Sequence, residues 1–255
     1  MVSETIDAFH RGRFHLVQPK GRGHRAGMDA MLLASLVADD KPCRVADLGA
    51  GAGAAGLAVA ARLDTAEVTL FELSDEMADF ARRSIALPEN GAFASRVNVR
   101  QADVTLRANA RAEAGLLDNH FDHVIMNPPY NDAEDRKTPD ALKAAAHAMT
   151  DDLFENWIRT ACAIMVSGGQ LSLIARPQSV SDIISACHRR FGGLEITLIH
   201  PRPGEDAVRM LITAIKGSRA RLTFRAPLIM HEEDSHAFAA VVDDLSNGRV
   251  AYRRR

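Results

Sequence analysis

Asp47-Leu48-Gly49-Ala50-Gly51-Ala52-Gly53-Ala54-Ala55-Gly56 follows a short β-forming run, Arg44 to Leu48, and leads into an apolar helical stretch, Ala54 to Leu63. Strand, glycine-rich turn and helix in that order form the opening unit of a parallel α/β sheet. The turn reads in two registers. Gly51, Gly53 and Gly56 spell G-x-G-x-x-G, with Glu72 lying 72 − 51 = 21 residues on, which is the dinucleotide fingerprint with its ribose-binding acid. Asp47-x-Gly49-x-Gly51-x-Gly53 instead begins with an acid at the strand end. In a dinucleotide site the loop amides receive a pyrophosphate, and a carboxylate beside them would repel it. S-adenosylmethionine has no phosphate and carries an ammonium and a sulfonium, so Asp47 suits it. The glycines let the backbone approach such a cofactor closely.

Outward from this turn, strand-like and helix-like segments alternate. Met28 to Val37 reads as a helix with Asp29 near its start. Val68 to Glu72 reads as a second strand, and Ser74 caps a helix running to Ile85, with Asp75 and Glu76 in its first turn. Val97 to Ala102, Phe121 to Met126, and Leu171 to Ala175 behind a Gly168-Gly169 turn continue the series. Ile196 to His200 and Val208 to Lys216 leave no room for a helix between them, which predicts an antiparallel hairpin across Pro201 to Asp206. β-like residues around Leu222 to Phe224 and Leu228 to Met230 precede a terminal amphipathic helix, roughly Ser235 to Leu245. The expectation is a Rossmann-like α/β fold: a seven-stranded, mostly parallel sheet with an antiparallel hairpin at one edge. It forms one domain, residues 28–255, behind an N-terminal extension, residues 1–27.

Three acids then fall at successive strand ends, on the carboxyl edge where open α/β sheets bind ligands. Glu72 can accept both ribose hydroxyls and Asp103 the adenine amino group. Leu73 and Val104, the residues after them, complete the candidate cofactor set with Asp47, Gly49, Gly51 and Gly53. Asp47 and Glu72 are expected at strand ends, outside the core.

After the fourth strand stands Asn127-Pro128-Pro129-Tyr130. The prolines end the ladder and fix φ, so Asn127 is held in a rigid turn, beside the glycine turn if the first and fourth strands are neighbours. A planar amino group such as adenine's is a poor nucleophile because its lone pair is delocalised. The Asn127 side-chain oxygen, joined by the Pro128 carbonyl, can accept its two N–H bonds, favour a pyramidal nitrogen and aim the lone pair at a methyl donor. Tyr130 offers a ring on which a splayed-out base can stack.

With these residues in view, the chain resembles the class I S-adenosylmethionine-dependent amino-methyltransferases, and within them the bacterial family that methylates adenine N6 at position 37 of a valine transfer RNA. The resemblance also rests on Gln18, on Gly23 to Ala34, and on the strand containing Arg209. It implies that Gly27 to Asp29 help close the methionine end of the cofactor pocket, so Gly27 and Asp29 join the cofactor set together with Asn127. The same turn chemistry also serves protein-glutamine and ribosomal RNA guanine-N2 methyltransferases. A nucleic-acid-binding protein that keeps the fold without turnover and a nicotinamide oxidoreductase are the readings from other classes.

An RNA substrate requires phosphate contacts. Lys20, Arg22 and Arg25 lie in a basic, acid-free run from His10 to Arg25, and Lys216, Arg219 and Arg221 in a second from Lys216 to Arg225, while Arg253 to Arg255 form a third cluster. Trp157 and His147 read as core or cap residues, and Asp132, Asp135 and Asp140 as loop acids. No zinc-ligand spacing is present, so no metal is expected.

Composition agrees with this reading. At ~150 residues per domain, 255 residues give one large α/β domain or two small ones. Hydrophobic residues at 47% and charged residues at 25% exclude a disordered or fibrous chain. The longest apolar run, Met28 to Ala38, is broken by Asp29 and falls short of the ~20 residues that cross a bilayer. The first residues lack a secretory pattern, so a cytoplasmic location is expected. Cys43, Cys162 and Cys187 are odd in number and widely spaced, which suits neither a disulfide framework nor a zinc site. Net charge is 31 − 33 = −2, so a polyanion would be held by local patches.

Overall fold

The computed structural model describes residues 4–20, 27–38, 41–129, 152–232 and 236–255. The chain opens with an antiparallel hairpin, β1 (Glu4–Phe9) and β2 (Phe14–Pro19), that the extension gave no reason to expect. Its turn is made by His10 and Arg11 at positive φ and by Gly12, without the Asn-Gly or Asp-Gly pair that marks most tight hairpins. Phe14, fully buried, stacks on Phe9 with ring centroids 5.3 Å apart, so it is a packing residue and not a free stacking platform.

Helix α1 (Met28–Ser35) leads to the parallel ladder: β3 (Cys43–Leu48), α2 (Ala54–Arg62), β4 (Ala66–Glu72), α3 (Asp75–Ile85), β5 (Val97–Gln101), α4 (Ala108–Glu113) and β6 (Phe121–Met126). Helix α3 shows why the sequence folds this way locally. The Ser74 hydroxyl accepts the Met77 amide at 3.3 Å, Asp75 and Glu76 sit at the positive end, and Arg82 and Arg83 at the negative end. Helix α5 (Leu153–Ile164) precedes β7 (Met165–Ala175), followed by α6 (Val180–Cys187), β8 (Phe191–His200) and β9 (Arg209–Lys216). Short β10 (Thr223–Phe224) and β11 (Leu228–Ile229) and helix α7 (Ala240–Ser246) finish the chain.

The order across the sheet is β10-β8-β9-β7-β6-β3-β4-β5, with β11 also on β8. The β8–β9 hairpin is antiparallel as expected, with Ile196 opposite Ile212. The sheet has nine strands instead of seven, because β10 and β11 add in parallel to β8 and cover the hairpin's outer side. Strand β7 starts at Met165, ahead of Gly168-Gly169. A β-carbon on Gly169 would sit 2.8 Å from the Asp122 carbonyl oxygen, so glycine lets the strand continue against β6 through a register shift. Helix α7 starts at Ala240, later than expected, since His231 and Phe238 form a β-bridge first.

Alternation along the strands divides the core. Val45, Leu70, Ile125, Ile174 and Leu211 pack under α1, α2 and the β1–β2 hairpin, while Leu48, Phe71, Met126, Leu173 and Met210 pack under α5 and α6. Truncating one of these fully buried residues to alanine costs roughly 2 to 5 kcal/mol. Among the described residues no helix is long and apolar enough to cross a membrane, and no cluster of potential metal ligands occurs.

Candidate active site

Strands β3 and β6 are parallel neighbours, with Leu48 opposite Met126. The next residues out, Gly49 and Asn127, therefore leave adjacent strand ends ~4.8 Å apart. Asn127 is half-buried, Pro128 buried and Pro129 exposed. Tyr130 lies outside the described residues, as do Asp132, Asp135, Asp140 and His147.

The glycine turn is held from two sides. Gly49, Gly51 and Gly53 have φ of 68°, 58° and 93°, a region in which side chains are strained. The Gly49 and Ala50 amides donate to the Phe71 carbonyl at 2.8 and 3.0 Å. Glu72 accepts the Gly51 amide on Oε2 and the Ser74 amide on Oε1, both at 2.8 Å. Asp47 Oδ2 accepts the Gly56 amide at 2.9 Å. Asp47 is 2% exposed, so its expected place outside the core is corrected: alternation turns it under α2. Burial pushes its carboxyl up to about 7, against the Gly56 hydrogen bond, which lowers it, and with the nearby Glu72 charge, which raises it further.

These donors decide which cofactor fits. A pyrophosphate needs the turn's amides, but those of Gly51 and Gly56 are already taken by the carboxyl groups of Glu72 and Asp47, so they are not open to it. Glu72 uses one lone pair on each oxygen and keeps acceptor capacity for hydroxyls. The residues present fit a cationic, phosphate-free ligand such as S-adenosylmethionine.

The other candidate positions are distributed along the same edge. Asp103 Oδ1 accepts the amide and hydroxyl of Thr105, each at 2.7 Å, which is a local loop turn. Leu73 is 64% exposed beside Glu72, whereas Val104 is buried, its carbonyl accepting the Thr160 hydroxyl. Gly27 caps α1, and Asp29 Oδ2 accepts Nε of Arg209 at 2.8 Å, tying α1 to the start of β9. Trp157, which the sequence suggested only as a core or cap residue, forms the floor of the turn. A β-carbon on Gly49 would come within 2.3 Å of its ring. It is the chain's one tryptophan, the only signal that singled it out.

The basic runs separate. Lys20 is exposed at the end of β2, and Arg22 and Arg25 lie outside the described residues. Lys216 ends β9 beside Phe191, at the amino edge of the parallel strands and thus opposite Asn127. Its ammonium donates to the Asn119 side chain and the Met165 carbonyl at 2.8 and 2.6 Å. Arg225 pairs with the buried Glu195. Arg253 donates to the Ala38 carbonyl and Arg254 to the Thr213 hydroxyl. Arg219 and Arg221 are exposed, but Gly193, paired to the Ala220 carbonyl, puts them at the amino edge as well.

Residues 27–197 match the methyltransferase small domain family. The crystal structure of a protein described as a predicted O-methyltransferase, from Agrobacterium tumefaciens, is 71% identical, with a TM-score of 0.79 over 89% of this chain and 99% of that one. The curated tRNA1(Val) (adenine(37)-N6)-methyltransferase of Pedobacter heparinus is 25% identical over 81% of this chain and 83% of its own length. The release factor glutamine methyltransferase of Deinococcus radiodurans is 32% identical over 56% of this chain and 49% of its own.

Proposed function

From the premise that the chain belongs to the methyltransferase small domain family, and is a class I methyltransferase, we propose that it methylates N6 of an adenine in RNA, at position 37 of a transfer RNA. The observation that carries the reading is the adjacency of Gly49 and Asn127 on neighbouring parallel strands, which brings a cofactor turn and an amino-group acceptor to one point. S-adenosylmethionine, when bound, supplies a methyl group on a sulfonium.

Glu72 holds the ribose, Asp47 holds the turn in place from beneath through the Gly56 amide and balances the cofactor's positive charge when ionised, and Asp103 takes the adenine amino group. The Asn127 side-chain oxygen and the Pro128 carbonyl accept the two N–H bonds of the substrate amino group. Held by these two acceptors, the nitrogen would become pyramidal with its lone pair directed at the methyl group that a bound cofactor would supply. The amino proton becomes acidic only with the transfer and leaves to solvent afterwards. A hydroxyl acceptor has one proton and requires a base to remove it, and neither an amide nor a carbonyl is a base at neutral pH. That distinction favours an amino acceptor over the oxygen named for the Agrobacterium protein. Tyr130 supplies the stacking ring in this proposal. The long coverage shared with the Pedobacter enzyme supports RNA over a protein glutamine.

The test is incubation of the full chain and S-adenosylmethionine with transfer RNA from a strain lacking this protein, followed by nucleoside mass spectrometry. N6-methyladenosine is the expected product. A methylated guanosine, a methyl ether, or labelled release factor with unlabelled RNA would overturn the assignment.

A further inference from the structure

Strand β10 forms the outer edge of the large sheet, and among the described residues no strand pairs with its far side. Phe224 pairs with Ile196, Ile196 with Ile212, Ile212 with Leu173 and Leu173 with Met126. Phe224 is therefore level with Met126, the residue before Asn127, across four strand spacings of ~4.8 Å, or ~19 Å in all. The same pairing gives Phe224 the face of the sheet that carries Ile196, Leu173 and Met126, which α5 and α6 cover nearer the centre. At the edge that cover ends: Phe224 is 63% exposed, more than any other phenylalanine.

The residues leading into β10 carry charge with nothing to balance it. Arg219, Ala220, Arg221, Leu222 and Thr223 are all exposed, and among the described residues neither Arg219 nor Arg221 makes an ion pair or a side-chain hydrogen bond. The acid that pairs with this edge, Glu195 opposite Thr223, is taken by Arg225, Arg254 and the Arg255 amide. Charges at an edge strand ordinarily guard it against pairing with other chains, and two arginines suffice for that. A guard does not call for a ring held in solvent beside it, because an exposed apolar side chain invites the association that the charges prevent. A ring flanked by unpaired guanidiniums is instead the composition of a single-strand nucleic-acid site, with a base on the ring and phosphates on the cations. We infer that the edge from Arg219 to Phe224 binds a second, unpaired nucleotide of the same RNA, stacking its base on Phe224 and holding adjacent phosphates with Arg219 and Arg221. Arg221 lies three residues before Phe224, ~10 Å along the strand, so a guanidinium and the ring serve neighbouring nucleotides. The ~19 Å to the end of β6 equals about six nucleotides stacked at ~3.4 Å each, within the span of one folded loop and its stem. The inference rests on the RNA reading above.

The experiment measures binding of unmethylated transfer RNA by the full chain, saturated with S-adenosylhomocysteine, across a salt series, with light scattering of the protein alone in parallel. The double variant Arg219→Gln, Arg221→Gln is expected to lower the slope of log affinity against log salt by about 1.4, or ~0.7 for each phosphate of a single strand. Phe224→Ala should weaken binding about 5- to 150-fold with the slope unchanged, the range for a lost base stack. Phe224→Leu keeps apolar bulk without the ring and should bind as weakly, while Phe224→Tyr should match the wild type. Turnover at saturating RNA should stay within twofold in every variant. Wild-type affinity and slope in the arginine and alanine variants overturn the edge site and leave the RNA reading standing. Full affinity in Phe224→Leu would overturn base stacking in favour of plain apolar contact. A dimeric wild type that becomes monomeric on Phe224→Ala, with RNA binding unaltered, would make the edge a contact between copies of this chain. A wild type that binds no RNA removes both readings together.

Discussion

The Glu72 carboxylate spans the glycine turn and the start of the next helix, one oxygen on the Gly51 amide and the other on the Ser74 amide, each at 2.8 Å. One side chain thus shapes the turn and, in the proposed function, also holds the ribose. Glu72→Gln retains a single acceptor oxygen and sets an NH2 group against the other donor. Losing charge-assisted bonds of this kind costs about 1.5 to 3 kcal/mol. S-adenosylhomocysteine affinity should therefore fall by about 10- to 100-fold in a calorimetric titration, and an unaltered titration would take Glu72 out of the cofactor site.

The turn's other constraint is steric. Gly49→Ala puts a β-carbon 2.3 Å from the Trp157 ring, at a φ of 68°. Overpacking of this kind costs about 1 to 3 kcal/mol, with roughly 1 more for the left-handed backbone. The melting temperature should fall by several degrees and cofactor affinity with it. Adding Trp157→Leu should recover part of the loss in Gly49→Ala, because the smaller side chain yields the space. Strictly additive losses in the double variant would show that the ring is not what the glycine avoids.

That pair also shows where the sequence stopped being legible. Gly49, Gly51 and Gly53 announced a turn, since only close approach or positive φ explains three glycines in five residues. Nothing in the chain told which side chain approached, because Trp157 is more than a hundred positions away. Strands β3 to β6 were readable from their apolar runs, and Asn127 from its prolines. The β1–β2 hairpin was not, because its turn uses His10 and Arg11 in a conformation that glycine or asparagine normally signals. The place of Lys216, Arg219 and Arg221 in the fold was hidden for a related reason. Charge is visible in sequence, but the edge of the sheet to which an antiparallel strand delivers it depends on pairing. The one run that reverses direction, β9, carried the basic patch away from Asn127 and brought Arg209 to Asp29.

Asp47 gives a pH signature. Its carboxyl rises from 3.8 to about 7 in the folded chain, chiefly by burial. The folded state then holds a proton that the unfolded state has lost, so stability is greatest below the unfolded value and declines as pH climbs toward 7. Thermal melts of the wild type and Asp47→Asn, compared from pH 4 to pH 8, should show the wild type losing ground up to about pH 7 and a constant difference above it. Asparagine keeps an acceptor for the Gly56 amide, so the variant should fold. Parallel curves over the whole range would mean that Asp47 is ionised throughout.

The last expectation concerns the reacting group. Asn127 sits one residue beyond Met126, opposite the strand that ends at Gly49, and follows the ladder into two prolines that fix its direction. In the proposed function its side-chain oxygen acts on the amino group mainly as the nitrogen becomes pyramidal, so its value would be realised in the transition state more than in the bound substrate. Asn127→Ala should reduce kcat by about 10²- to 10³-fold, roughly 3 to 4 kcal/mol, with RNA KM and cofactor affinity little changed. Asn127→Asp tests the charge. A carboxylate also accepts an N–H bond, but it cannot offer the amide's NH2 to its own surroundings and adds a negative charge near Asp47 and Glu72. It should retain more activity than alanine at pH 8 and less than the wild type at every pH. A rise in KM without a fall in kcat for Asn127→Ala would make the residue a ground-state binder, and the account of nitrogen pyramidalisation given above would fail.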